Sequence, residues 1–170
     1  MWHYHRISDF RPLDDIDLRL IDELQQDAKI TNVELADRVK LSPSPCLARV
    51  RALERDKIID RYVALMNPRA LGLGVSVFIQ ITLDTQVRSA LDTFEAAVRK
   101  RPEVMECYLM TGDSDYLLRV VVPDVQSFER FVISELTNIP GLSRIRSSFA
   151  LKQVKYETGL PLPPKAPRAD

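Results

Sequence analysis

At Ile58 the apolar residues of this chain stop recurring at helical spacing and begin to alternate, which predicts a helical unit followed by a sheet unit. Three helix starts precede that point. In Leu13-Asp14-Asp15-Ile16-Asp17, Asp14 is placed to cap and Asp17 lies three residues on, with Ile16, Leu20, Ile21 and Leu24 following at helical spacing. Thr31-Asn32-Val33-Glu34 has the pattern of a capping box, leading into Leu35, Ala36 and Val39. Ser42-Pro43 opens a third helix running to about residue 56, with Ser42 as its cap and proline in the first turn, where a missing N–H costs nothing. Three helices joined by short turns, the second the shortest, outline a helix-turn-helix.

Beyond Ile58 the reading is a short strand over 59–65, a break at Asn67-Pro68, and a β-branched strand over 75–83. A helix over 88–101 follows, then strands over 104–110 and 116–122 joined by Thr111-Gly112-Asp113-Ser114-Asp115. A helix carrying Val125, Phe128, Phe131, Val132 and Leu136 comes next, and a last strand, straight or bent, over 143–156. The order β-α-β-β-α-β is that of a ferredoxin-like sandwich, helices on one face of an antiparallel sheet. The fold class is therefore α+β: an N-terminal three-helix (winged) helix-turn-helix and a C-terminal ferredoxin-like βαββαβ unit. The expected organisation is a flexible arm over 1–12, the helical domain over 13–60, a strand or linker over 61–73, the sheet domain over 74–160, and a Pro-rich tail over 161–170. With no third layer in the sequence, the open face of the sheet needs another subunit to cover it.

The chain as a whole is neutral, with 24 Lys and Arg against 24 Asp and Glu, but its charge is segregated. Between residues 38 and 61, Arg38, Lys40, Arg49, Arg51, Arg55, Lys57 and Arg61 face only Glu54, Asp56 and Asp60. On the third helix at about 100° per residue, Cys46, Val50 and Leu53 form the stripe to be buried. Ser44, Ala48, Arg51 and Arg55 point the opposite way. Arg49 falls on the flank, where a neighbouring acid competes for it. Taken alone, Arg51 and Arg55 would read as a solvated helix face; placed on the third helix of such a triplet they read as a grip on double-stranded DNA.

Other chemistries find little support. Gly72-Leu73-Gly74 lacks a third glycine and precedes a strand instead of a helix, so phosphate binding fails. The only histidines, His3 and His5, lie in the arm, which leaves no core general base. The two cysteines have no CxxC spacing, which excludes a disulfide scaffold or zinc finger and makes a cytoplasmic setting the default. No apolar run approaches the ~18 residues of a membrane span, and no secretory signal is visible. No enzyme activity, cofactor or metal is expected. The Gly112–Tyr116 stretch has a different use: a glycine turn offers backbone N–H groups to a carboxylate and an aspartate offers a counter-charge to an ammonium, which together suit an amino acid. Composition alone equally allows a plain hairpin turn with solvated aspartates.

With these residues in view, the chain resembles the leucine-responsive/asparagine-type (Lrp/AsnC) family of transcription regulators over roughly residues 13–162. The resemblance is carried by Leu13-Asp14-Asp15-Ile16-Asp17, Ile30-Thr31-Asn32-Val33-Glu34-Leu35-Ala36 and Leu41-Ser42-Pro43-Ser44-Pro45-Cys46-Leu47 in the front half. Thr111-Gly112-Asp113-Ser114-Asp115-Tyr116-Leu117-Leu118 and Ser147-Ser148-Phe149-Ala150-Leu151-Lys152-Gln153-Val154-Lys155-Tyr156 carry it in the back half. It implies a DNA-binding domain, a domain sensing a small amino acid at a subunit interface, and homodimers assembling into larger rings, often octamers. The expected DNA-binding residues are Ser42, Ser44, Pro45, Leu47, Ala48, Arg49, Arg51, Arg55 and Lys57. The expected effector residues are Gly112, Asp113, Ser114, Asp115, Tyr116, Ser148, Phe149 and Ala150. Relatives often carry basic residues where this helix has Ala48 and Ala52, which puts more weight on Arg51 and Arg55. The competing reading is a ferredoxin-like small-molecule-binding module whose helical part serves protein interaction.

Overall fold

The structure, a computed structural model, describes residues 11–163. The expectations of a loose arm and of an unpacked tail fall largely on residues 1–10 and 164–170, outside the described residues. Two compact units emerge, one built from residues up to Ala64 together with those from Lys155 onward, the other spanning Leu65–Val154.

In the first unit α1 is Asp15–Gln26, α2 Asn32–Val39 and α3 Pro43–Arg55. The first two starts act as read. Asp14 accepts from the N–H groups of Ile16 and Asp17 while the Asp17 carboxylate accepts from the Asp14 N–H. Thr31 and Glu34 exchange the same reciprocal bonds. The third start differs. Ser42 occupies the cap position in extended backbone but its hydroxyl bonds no backbone group of the helix. The third residue of α3 is Pro45, so the N–H that a capping serine most often takes is missing. The three helices close over Leu20, Leu35, Ala36, Val39, Cys46 and Leu53, with Val50 packed against them. Each such aliphatic side chain contributes roughly 1.5–3 kcal/mol on burial.

In the second unit β1 is Val75–Leu83, α4 Arg88–Val98, β2 Val104–Leu109, β3 Tyr116–Val122, α5 Val125–Phe131 and β4 Leu142–Phe149. Residues Val132–Leu136 continue α5 as a wider π-helical turn. The sheet order is β2-β3-β1-β4 with every pairing antiparallel, which is the βαββαβ topology expected. Val77, Ile79, Ile81 and Leu83 of β1, with Tyr116, Leu118, Val120 and Val122 of β3, form the helix-facing side of the sheet and are buried. Their neighbours Phe78 and Gln80, with Tyr108 and Ser148, fall on the other side and are exposed. Gly72 adopts a left-handed φ of 75° to close a 3-10 turn over Arg69–Leu71, and a Cβ on Gly74 would meet the Pro123 carbonyl at 3.3 Å. Both glycines of that pair are thus explained by local geometry.

Two expectations are corrected. Residues 59–65 form no strand and join no ladder, because among the described residues no strand lies alongside to take their backbone bonds. The last strand stops at Phe149, and 151–156 run on unpaired with Leu151 and Val154 almost fully exposed. Within the first unit, Leu160 is tied to α1 through Gln25. Its N–H donates to Gln25 Oε1 at 2.6 Å and its carbonyl accepts from Gln25 Nε2 at 3.2 Å, a side-chain amide standing in for a strand neighbour.

Candidate DNA interface and amino-acid site

The exposed side of α3 is the one its periodicity selects. Ser42, Ser44, Pro45, Leu47, Ala48, Arg51 and Arg55 are exposed, as is Lys57 just past the helix, whereas Cys46 and Leu53 are fully buried. The Ser42 hydroxyl remains available because it caps nothing. Leu47 and Ala48 add a small apolar surface of the kind that meets a thymine methyl group. Arg51 makes no ion pair among the described residues, and Arg55 is held only at its Nε, by Asp56 at 3.1 Å.

Arg49 is different. Its NH1 donates to Asp14 Oδ2 at 2.8 Å and to Asp17 Oδ1 at 2.9 Å. Asp17 is wholly buried and also receives Arg11 NH1 at 2.6 Å. Burial pushes the Asp17 carboxyl upward, but the hydrogen bonds from Arg11 and Arg49 outweigh it and hold the group below its ordinary value. Arg49 therefore fastens α3 to the start of α1 through NH1.

In the second unit the turn between β2 and β3 separates its residues by function. Gly112 has φ 121° and lies exposed with Asp113. The backbone N–H groups of Gly112, Asp113 and Ser114 have no acceptor among the described residues, while Met110 N–H donating to the Asp115 carbonyl closes the hairpin at 2.8 Å. Asp115 points inward. Its Oδ2 accepts from the Leu83 N–H at 2.7 Å and its Oδ1 from Gln86 Nε2 at 2.6 Å, in a group only 6% exposed. Tyr116 is buried against Phe94, ring centroids 4.5 Å apart, and its hydroxyl donates to Glu95 Oε1. Alternation on β3 turns Tyr116 into the core, while Leu83 at the end of β1 and Gln86 beyond it take the two oxygens of Asp115. Ser148 is exposed opposite Phe78 on the open face, Phe149 packs edge-on to Phe128 at 5.2 Å, and the Ala150 N–H donates to Ser76.

The strand register shows that the two halves of the expected effector set do not meet within one chain. Tyr116 is opposite Ile81 whereas Phe149 is opposite Val77, four residues away along β1. That is about 13 Å along the strand, and β3 and β4 flank β1 on opposite sides.

Comparison with known proteins agrees with both units. The family profile described as the Lrp/AsnC ligand binding domain matches residues 76–160, and one described as winged helix-turn-helix DNA-binding matches residues 13–60. The leucine-responsive regulatory protein of Salmonella typhimurium is 43% identical over 150 residues, 88% of this chain and 92% of the relative. A transcriptional regulator of Neisseria meningitidis, solved as a complex with L-Met, superposes with a TM-score of 0.85 at 41% identity, covering 88% of this chain and 97% of that one. An AsnC family transcriptional regulator of Agrobacterium tumefaciens gives a TM-score of 0.84 at 38% identity over 88% of this chain and 97% of that one.

Proposed function

The chain belongs to the Lrp/AsnC family of transcriptional regulators, and on that premise we propose which residues carry its two activities. A DNA-binding helix-turn-helix joined to an amino-acid-binding domain is the family's plan, which sets aside the reading of the helices as a protein-interaction module. Arg51 and Arg55, with Ser42 and Ser44 at the start of α3, contact DNA. The observation that carries this is the single exposed face they share, free of the carboxylates that occupy Arg49.

The effector is a small amino acid, as the L-Met of the Neisseria meningitidis structure suggests. Its carboxylate is received by the N–H groups of Gly112 to Ser114, which have no acceptor among the described residues, and its ammonium is matched by Asp113, the exposed acid of the turn. Ser148 and Ala150 contribute from a second copy, since one copy holds them too far from the turn. The same second copy covers the open sheet face and the unpaired apolar segment around Val63 and Met66. Homodimers formed this way assemble further, with an octamer as the expected size. The compartment is the cytoplasm, where DNA and free amino acids are both at hand, and the role is regulatory rather than enzymatic.

Two titrations test the reading. Arg51→Ala with Arg55→Ala should flatten the salt dependence of DNA binding, by about one unit of log–log slope for each phosphate no longer neutralised. An unchanged slope removes this face from the DNA interface. For the sensor, Asp113→Asn should weaken calorimetric binding of methionine or leucine by roughly 10- to 150-fold, the range for one charge-assisted bond. Sedimentation run alongside separates weakened binding from changed assembly, and equal affinity in variant and wild type would leave the turn a hairpin only.

A further inference from the structure

We propose that Arg11 is a positioning residue for DNA contact, because it joins the buried Asp17 to Asp56 and through Asp56 presets the guanidinium of Arg55. The inference rests on the assignment of Arg55 to the DNA-facing side of α3. Arg11 precedes the segment matched by the helix-turn-helix profile, which begins at residue 13. Its guanidinium nevertheless spans the domain. NH1 donates to Asp17 Oδ2 at 2.6 Å and Nε to Asp56 Oδ2 at 3.0 Å. Asp56 is the residue that caps the C-terminus of α3, and its other oxygen, Oδ1, accepts from Arg55 Nε at 3.1 Å. An unbroken series of charges therefore runs Arg49–Asp17–Arg11–Asp56–Arg55, linking the middle of α3 to its end through the start of α1.

The arrangement has a directional consequence. Asp56 is three-quarters buried on its side chain and shared between two arginines, so Arg11 determines which carboxylate oxygen is left for Arg55. Arg55 is then held at Nε while its side chain stays 72% exposed, and its two terminal nitrogens have no acceptor among the described residues. Terminal nitrogens held in one plane are what bidentate binding of a phosphate requires. A free arginine has to give up its rotamer freedom on binding, whereas one fixed at Nε has already given up part of it. Arg11 itself gives both Nε and NH1 to carboxylates. Its effect on DNA passes through Arg55.

The test is anisotropy titration of a labelled random-sequence duplex across a range of salt, using the full chain. Arg11→Gln should weaken binding by about 2- to 12-fold, the range for immobilising one rotamer-rich side chain, with the salt slope unchanged. Arg55→Gln should lower the slope by about one. In an Arg55→Gln background, Arg11→Gln should have no further effect on affinity. Because Arg11→Gln also leaves Asp17 with one arginine fewer, Asp56→Asn serves as the second variant. It keeps the Arg11–Asp17 pair, leaves a single uncharged oxygen for two arginines so that the hold on Arg55 is weakened, and should reproduce the same weakening, with helical circular dichroism unchanged at the titration temperature. Additive effects of Arg11→Gln and Arg55→Gln with a further drop in slope would overturn the proposal, since Arg11 then touches phosphate itself. Full affinity in both Arg11→Gln and Asp56→Asn overturns it as well. If Arg55→Gln alone changes neither affinity nor slope, the failure lies in the DNA face, and the coupling falls with it.

Discussion

Replacing Asp115 separates two uses of one carboxylate. An aspartate at the end of a glycine turn is the natural partner for a bound ammonium, but here both oxygens are taken by Leu83 N–H and Gln86 Nε2. In Asp115→Asn the remaining oxygen can still accept from Leu83. The new amide then faces the Gln86 amide, which restores a hydrogen bond by turning its own oxygen inward. Two charge-assisted bonds become neutral ones, a loss of about 1–2 kcal/mol. Asp115→Ala goes further, leaving the Leu83 N–H buried without an acceptor, and should cost about 2–4 kcal/mol. For a unit of this size each kcal/mol lowers the melting temperature by roughly 4–8 °C. The expected pattern in differential scanning calorimetry is thus a graded loss, alanine larger than asparagine, confined to the transition of the sheet unit. Methionine or leucine binding to folded Asp115→Asn should stay within a few-fold of wild type, whereas Asp113→Asn loses it. A variant Asp115→Asn with wild-type stability and no amino-acid binding would refute the reasoning and return the counter-charge to Asp115.

Two further outcomes follow from local geometry. The Asp17 carboxyl titrates below its ordinary value of 3.8 when folded, so its pairing with Arg11 and Arg49 stabilises the helical unit above that value and is lost as pH falls through the lower, folded one. Acid titration followed by circular dichroism should show Asp17→Asn less stable than wild type at neutral pH, with the gap narrowing below about pH 4; a gap independent of pH would place the stabilisation elsewhere than in the charge. Lys40 ends α2 in left-handed backbone at φ 61°, where a side chain is strained. Lys40→Gly should therefore stabilise the unit by about 0.5–1 kcal/mol in urea denaturation, and a drop in stability would mean that the Lys40 side chain matters more than its backbone.

Much of the architecture was legible because it depends on neighbours in sequence. The Asp14 and Thr31 caps, the Cys46–Val50–Leu53 stripe and the alternation on β1 and β3 are all set by residues within a turn or two of one another. The order of strands and helices then leaves one antiparallel topology, and the exposed position of Arg51 and Arg55 follows from helical angle alone.

What tertiary structure decided is where each charge is spent. Sequence placed Arg49 on a flank and Asp115 at a turn, but only the packing of α1 against α3 gives Arg49 to Asp14 and Asp17, and only the end of β1 brings Leu83 and Gln86 to Asp115. Residues 59–65 make the same point from the other side: their composition suits a strand, yet a strand exists only beside a partner that accepts its backbone bonds. Caps and amphipathic faces are properties of a few consecutive residues. Ion pairs between helices and bonds across a sheet are properties of segments tens of residues apart, and no local pattern encodes which of several acids a given arginine will meet.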